Sequence, residues 1–171
     1  WSPHGIAADA DDSIWWSGNP GAGLAHMDPR TGSIDLYGDA GNRKGGLSPF
    51  IDSKGNVWWT SGRSHIGRWD RKTNTTKTWK TPGAPGMSYG IVIDRQDQVW
   101  YTEFYSCALV SFDPKTETFK VYPSPSRPCT ARRPGIDSKG NLWYGVYDKG
   151  RLAKMDPTTG ITTEYQIPVR F

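Results

Sequence analysis

The sequence lacks the patterns that define helical proteins and proteins that span a membrane. Nowhere in its 171 residues do apolar side chains keep the 3.6-residue spacing of a helix over three turns, so we expect almost no helix. No apolar run approaches the roughly 18 residues that a membrane-spanning helix needs, so we predict no membrane span. The two cysteines have no Cys-x-x-Cys spacing and no nearby histidine pair. A cysteine zinc site and a haem-attachment motif are therefore excluded.

The positive charge is too dispersed to indicate nucleic-acid binding. The 21 Lys and Arg residues outnumber the 17 Asp and Glu residues only slightly, for a net charge of +4. Many of them fall in predicted turns, and only Arg127, Arg132 and Arg133 lie close together. Nucleic-acid binding would need a basic stripe and a recognisable module, so we expect no nucleic-acid partner.

What the sequence does have is a repeat about 43 residues long. A tryptophan that follows an aliphatic residue recurs at intervals of 43, 42 and 43 positions, at Trp15, Trp58, Trp100 and Trp143. An aspartate lies about six positions before each of them, at Asp9, Asp52, Asp94 and Asp137. A turn marker that begins with aspartate keeps the same period, at Asp28, Asp70, Asp113 and Asp156. A period of roughly 40 to 50 residues with four strand-like runs predicts the blade of a β-propeller.

We therefore predict an all-β fold, with one β-propeller domain over residues 1–171 and four blades of four antiparallel strands. The blades are expected at about 1–42, 43–86, 87–130 and 131–171, with the four repeated tryptophans in the core. Open end blades would expose apolar sheet faces to water. For this reason we expect the four blades to be part of a six- or seven-bladed ring, and a closed four-bladed ring is the alternative.

The third unit shows how strands and loops are arranged within a blade. Strands A to D are predicted at Gly90–Asp94, Val99–Glu103, Ala108–Phe112 and Thr118–Tyr122, and a long loop from Pro123 to Arg133 leads to the next blade. This order places the short A–B and C–D turns on one face of the disc, the turn face. The B–C and D–A loops lie on the other, the loop face. Because variable loops on a rigid scaffold carry function, we expect the site at the channel mouth on the loop face.

The two cysteines fall on the loop face of the same blade. Cys107 lies in a B–C loop and Cys129 in the D–A loop that follows. We predict a disulfide between them, which would stabilise the fold by roughly 3 kcal/mol in the loop-entropy model. The alternative is two free thiols. A disulfide favours an exported protein, secreted or periplasmic.

Two stretches carry a resemblance to a known family. The run from Ser2 to Asp9 with Trp15 and Trp16, and the strand from Val99 to Glu103, resemble blades of the virginiamycin B lyase (streptogramin lyase) family. Propellers of the NHL-repeat and gluconolactonase groups look similar at this level. The resemblance implies a seven-bladed propeller that linearises a cyclic depsipeptide antibiotic by elimination. It also implies a histidine base at the start of a strand A, Mg²⁺, and a glutamate that ends strand B of the same blade.

Carried over by position, His4 matches the family's histidine and Glu103 matches its glutamate, but the two belong to different blades. In the blade of His4 the glutamate position is Gly18, and in the blade of Glu103 the histidine position is Tyr89. A base without its metal ligand beside it cannot run this chemistry in the same way. Whether the chain is an enzyme therefore stays open at this point.

We predict a non-catalytic binding or scaffold propeller of the streptogramin-lyase type that uses its loop face. Binding is expected from four residues at the mouth, Tyr89, Glu103, Arg132 and Arg133. The expected partners are a protein or a small-molecule ligand on the loop face, and other subunits or the rest of a larger chain. No cofactor is expected. The alternative is a metal-assisted lyase acting on a cyclic ester or lactone at the channel mouth, with His4 as its base and Mg²⁺ or Ca²⁺ on Glu103.

Overall fold

The computed structural model describes residues 2–19, 22–37, 46–83 and 86–168. Over these residues the chain forms sixteen strands and a single turn of 3₁₀ helix at Tyr147–Lys149. The strands make four separate sheets of four, and within each sheet every neighbouring pair is antiparallel and consecutive along the chain. The all-β fold and the four-stranded blades that the repeat predicted are confirmed. No helix among the described residues is long and apolar enough to cross a bilayer.

The strands run in the order A, B, C, D within each blade. The first blade holds β1 (Ser2–Ala8), β2 (Ile14–Asn19), β3 (Ala22–Asp28) and β4 (Ser33–Tyr37). The second holds β5 (Ser48–Ile51), β6 (Val57–Thr60), β7 (His65–Asp70) and β8 (Thr75–Lys80). The third holds β9 (Ser88–Ile93), β10 (Val99–Glu103), β11 (Ala108–Asp113) and β12 (Thr118–Pro123). The fourth holds β13 (Ala131–Ile136), β14 (Leu142–Val146), β15 (Arg151–Met155) and β16 (Thr162–Gln166).

The repeated aspartate and tryptophan are hydrogen-bonded to each other on the turn face. In blades two to four the indole N–H of strand B donates to the aspartate six positions earlier, over 2.9, 2.8 and 2.9 Å: Trp58 to Asp52, Trp100 to Asp94, Trp143 to Asp137. The other carboxylate oxygen of Asp94 accepts the backbone N–H groups of Gln96 and Gln98. One side chain therefore closes the A–B turn and fixes the tryptophan, which explains why the two residue types recur together.

The first blade departs from this arrangement. The indole N–H of Trp15 is buried without a hydrogen-bond partner. Asp9 instead pairs with Arg71, which reaches across from the second blade. The same sequence marker thus performs two different tasks, one within a blade and one between blades.

The core lies between the sheets, where one blade packs on the next. Trp15, Trp58 and Trp100 are buried there, as predicted. The expectation for Trp143 is wrong, because it is only half-buried on the outer side of blade four, where no further blade covers it in this structure. Its ring stacks on Tyr165 at a centroid distance of 5.9 Å.

Both outer sides of the four-blade arc are apolar and uncovered. Ile6 in β1 is 73% exposed, whereas Ile91, which holds the equivalent position in β9, is 5% exposed. Leu152 in β15 is 41% exposed, whereas its counterpart Leu109 is fully buried against the next blade. The innermost strands pack in the sequence β1, β5, β9, β13. The equivalent side chains are thus buried only where a neighbouring blade is present.

Candidate functional site

The innermost strand of three blades slips in register close to its loop-face end. In blade one the slip falls between Pro3 and Gly5, at His4. In blade four it falls between Arg132 and Pro134, at Arg133. Blade three has the same irregularity in β9, between the residues paired with Tyr101 and Glu103. An extra residue at a β-bulge is released from the ladder, and its side chain can be turned in a new direction.

These bulges bring side chains of three blades together at the axial mouth, around Tyr89. The ring of His4 meets that of Tyr89 edge-on at 6.3 Å. The guanidinium carbons of Arg132 and Arg133 lie 5.6 and 5.7 Å from the centroid of the same ring. Just inside, a cavity of about 230 Å³ is lined by strands β1, β5, β9 and β13, with Arg133 at its edge. We call His4, Tyr89, Arg132 and Arg133 the mouth cluster.

His4 is held in place but remains exposed. Its Nδ1 lies 2.7 Å from the carbonyl oxygen of Leu47 in the next blade. Because a carbonyl only accepts, that nitrogen carries the proton in this contact.

Arg132 and Arg133 lie in strand β13, whereas the sequence had placed them in the preceding loop. The strand starts earlier than predicted because the bulge lets pairing continue past Arg133. The guanidinium carbon of Arg132 lies 3.9 Å from the ring centroid of Tyr147 and 5.1 Å from that of Phe104. Its Nε is buried without a hydrogen-bond partner. None of the ion pairs in the described part of the chain involves either arginine.

Glu103 lies apart from the mouth cluster, sealed beneath the D–A loop of blade two. Glu103 is the last residue of β10 and is 2% exposed. Oε2 accepts the backbone N–H of Met87 at 2.9 Å, and Oε1 has no hydrogen-bond partner. Burial raises the pKa of this carboxyl to about 6. The buried Thr81 hydroxyl is close enough to lower that pKa in part, although neither it nor the Tyr101 hydroxyl makes a hydrogen bond of standard geometry.

The surroundings of Glu103 do not fit the magnesium ion that the family resemblance implies. Mg²⁺ requires six oxygen ligands in near-ideal octahedral geometry and keeps several waters, usually beside one or two carboxylates. Glu103 offers one free oxygen in a closed site among hydroxyl groups, and no group of three or more metal-ligating side chains occurs within the described ranges. We derive no catalytic step through such an ion.

A disulfide between Cys107 and Cys129 fixes the loops beside the mouth cluster, in agreement with the prediction from the sequence. Their Cα atoms are 5.2 Å apart. Two backbone hydrogen bonds continue the connection, from Ala131 N–H to Phe104 O and from Tyr147 N–H to Thr130 O. The segments that carry Phe104, Arg132 and Tyr147 are thereby tied to one another.

A cavity larger than the one at the mouth lies elsewhere, on the turn face between blades three and four. It has a volume of about 600 Å³ and is lined by the A–B turns that contain Asp94 and Asp137. Both carboxylates are already engaged by the tryptophan and turn hydrogen bonds. The structural repeat accounts for both of these carboxylates, so we place the candidate site at the mouth cluster.

The fold and the site define a β-propeller with a basic, aromatic mouth on one face. The structure resembles virginiamycin B lyase from Staphylococcus aureus with a TM-score of 0.90 and 21% identity, over 98% of this chain and 56% of the lyase. A catalytically inactive variant of that lyase with quinupristin gives 0.87 and 20%, over 98% and 56%. The chain thus spans about half the length of these lyases.

A more distant likeness is to an extracellular domain of another protein. The extracellular domain of a one component system from B. thetaiotaomicron matches with a TM-score of 0.77 and 16% identity, over 98% of this chain and 25% of that one. No family model matches the sequence, and no curated protein does. At these identities the likenesses establish the propeller fold.

Proposed function

We propose that this chain forms a non-catalytic binding propeller of the streptogramin-lyase type, with the mouth cluster as its ligand site. The observation that carries the proposal is the convergence of side chains from three blades on Tyr89 at the axial opening. Binding sites combine aromatic walls with a few polar groups whose partners come from the ligand. The two arginines without carboxylate partners suit this role.

The separation of His4 from Glu103 supports a role without catalysis. His4 is exposed at the mouth in blade one. Glu103 lies in blade three, where it is buried and accepts the backbone N–H of Met87. A base and the group that assists it must lie within hydrogen-bond reach of one reacting centre. A mouth that binds but does not convert its ligand is the function that this geometry favours.

The proposal can be tested by fragment binding to the intact protein. Saturation-transfer NMR with a mixed library of aromatic acids, amines and alcohols should detect binders that are lost in Tyr89→Ala. The matched control Gln96→Ala lies on the turn face and should keep them. Binding that survives Tyr89→Ala, or that is lost equally in Gln96→Ala, would place the ligand site elsewhere.

A metal-assisted lyase is the second candidate, and one observation favours it. Glu103 holds the position of the family's glutamate, its pKa lies near neutrality, and one oxygen is unpaired. Incubating the intact protein with quinupristin and Mg²⁺ and following ring opening by mass spectrometry separates the candidates. We expect no linear product. Turnover that is abolished in both His4→Ala and Glu103→Gln would overturn the non-catalytic proposal.

We further propose that the protein acts outside the cytoplasm. The Cys107–Cys129 disulfide persists best in an oxidising compartment, and the fold also occurs in an extracellular domain. A secreted or periplasmic location fits both. Fractionation of the native host with a maleimide probe should find these cysteines blocked and the protein in the exported fraction.

We also propose that further blades of the same repeat cover both outer sides of the arc. Ile6 and Ile91 make a matched pair for testing this, since only the second is covered here. With a covering blade, Ile6→Ala in the intact protein should cost about 2–5 kcal/mol, as Ile91→Ala should. A cost below about 0.5 kcal/mol for Ile6→Ala, typical of surface sites, would show that this side stays open.

A further inference from the structure

Arg132 is stacked among aromatic rings and has no anionic partner among the described residues. The ring centroid of Tyr147 lies closest to the guanidinium carbon, at 3.9 Å. The ring centroids of Phe104 and Tyr89 lie 5.1 and 5.6 Å from the same carbon. Stacking on ring faces holds a guanidinium in place without using its N–H donors. The five donors of Arg132 are thus oriented while its Nε stays buried and unpaired. A buried donor without a partner is costly and calls for an explanation.

A second arginine in the chain shows what a purely structural stack looks like. The guanidinium carbon of Arg68 lies 5.5 and 5.8 Å from the ring centroids of Trp58 and Trp79. Its Nε is unpaired as well, so that feature alone does not distinguish the two. The difference is the carboxylate: Asp70 accepts from Arg68 at 3.2 Å, and no described carboxylate does so for Arg132.

The space beside Arg132 lies on the outer side of blade four, because Gly145 in its wall pairs with Leu152, so the proposed further blade would bound it. A cavity of about 450 Å³ adjoins the guanidinium and is bounded by Val146, Tyr147 and Ile167. Its wall at Gly145 carries no side chain, and a Cβ there would come no nearer than 3.9 Å to any atom. Arg151 also borders the cavity, but it is already paired with Glu164. Arg132 is therefore the charged side chain in this lining that has no carboxylate partner among the described residues.

We propose that Arg132 binds an oxyanion, a carboxylate or a phosphate, whose apolar or aromatic body packs against the rings of Tyr147 and Tyr89 at the mouth. The proposal rests on the mouth being a ligand site and specifies its ligand class. A planar fork of donors matches two oxygens of such a group. Arg133, 5.7 Å from Tyr89 and also without a carboxylate partner, adds positive charge at the entrance.

The test compares four probes that share one body. Benzoate and phenyl phosphate distinguish the two oxyanions, benzyl alcohol is the neutral control and benzylamine the cationic control. Calorimetric titration of the intact protein should give at least tenfold tighter binding of one of the anions than of the alcohol, and no detectable binding of the amine. Higher salt should weaken the binding of the anion and leave that of the alcohol unchanged.

Variants separate recognition from structure. Arg132→Gln should weaken the binding of the favoured anion at least tenfold, and Arg132→Lys, which keeps the charge but loses the fork, by an intermediate factor. Arg68→Gln is the matched control and should change it less than twofold. Thermal unfolding of each variant checks that the fold persists. If the melting temperature of Arg132→Gln falls, its affinity for benzyl alcohol is the second measurement.

Each remaining outcome decides against the inference. If the alcohol binds as tightly as both anions and is lost in Tyr89→Ala, the mouth is a ligand site but the ligand class is wrong. If the anions bind equally well to Arg132→Gln, their site lies elsewhere. If no probe binds, the inference falls, and the fragment screen with Tyr89→Ala decides separately whether the mouth binds any ligand.

Discussion

Glu103 on the loop face differs from the carboxylates that close the turns of the turn face. On the turn face, backbone and side-chain donors lower the pKa of Asp70, Asp113 and Asp137. On the loop face, burial raises the pKa of Glu103. Among the described carboxyl groups with a shifted pKa, only that of Glu103 is raised. The turn-face carboxylates are thus paired by the turns that they close, whereas Glu103 and Arg132 on the loop face each keep a buried atom without a hydrogen-bond partner, which is typical of functional sites.

The largest effect in this comparison is predicted for removing the disulfide, the main constraint on the loop face. Replacing both Cys107 and Cys129 by alanine should lower the free energy of unfolding by about 3 kcal/mol, because the closed loop no longer restricts the unfolded chain. Urea unfolding of the intact protein measures this change. A reducing agent should destabilise the wild type and leave the double variant unchanged. Equal stability of the two proteins would mean that hydrogen bonds alone hold the loop face.

A slightly smaller effect is expected on the turn face. Asp94→Ala removes the acceptor for the Trp100 indole and two backbone N–H groups. We expect a loss of about 2 kcal/mol in the free energy of unfolding, since unpaired buried donors cost roughly 1–3 kcal/mol each and water satisfies the exposed ones.

Asp9→Ala is the matched control for that change. Asp9 makes no bond to Trp15 but pairs with Arg71, whose side chain is 39% exposed while that of Asp9 is 8% exposed. An ion pair whose cation is exposed contributes about 0–1 kcal/mol. Chemical denaturation should therefore rank Asp94→Ala well below Asp9→Ala in stability. The reverse order would show that the hydrogen bond to the tryptophan is not what the repeated aspartate provides.

The smallest effect concerns the pH dependence of stability. The pKa of Glu103 in the folded protein is about 6, above the ordinary value of 4.5. Between these values the unfolded chain releases this proton before the folded one does, so stability is full below about pH 4.5 and falls as the pH rises through 6. The total change is about 1–2 kcal/mol.

Glu103→Gln isolates the contribution of this carboxyl. The variant should be about 1–2 kcal/mol more stable than the wild type at pH 7 and equal to it near pH 4. Unfolding curves of both proteins between pH 4 and 8 give the difference at each pH. If the difference in the free energy of unfolding does not change with pH, or if the wild type is the more stable protein at pH 7, Glu103 is not a buried carboxyl with one unpaired oxygen.

The sequence was sufficient for the fold because its markers have local causes. Three of the four repeated aspartates bond to a tryptophan six positions later, so sequence spacing carries the structure directly. Strand β10 was predicted at its observed bounds, Val99–Glu103. Trp143 was placed in the core wrongly, because no described blade packs on the side of blade four where it lies.

The candidate site was only partly predictable. The sequence pointed to Tyr89 and Arg132 through their equivalence to His4, and to Arg133 as their neighbour, but their convergence depends on strand register, which spacing does not show. The aromatic partners Phe104 and Tyr147 were missed, since each lies in a short loop without any repeated marker. A search for aromatic residues directly after strand B would have found both.

The bulges in the innermost strands have a consequence for how this surface can change. A residue outside the ladder can be exchanged without altering the pairing of its neighbours. His4 and Arg133 occupy such positions in blades one and four. Around the axis the fold therefore offers separate single-residue slots, one in each of several blades. Combinatorial libraries at these slots could alter ligand preference while the Asp–Trp scaffold stays intact.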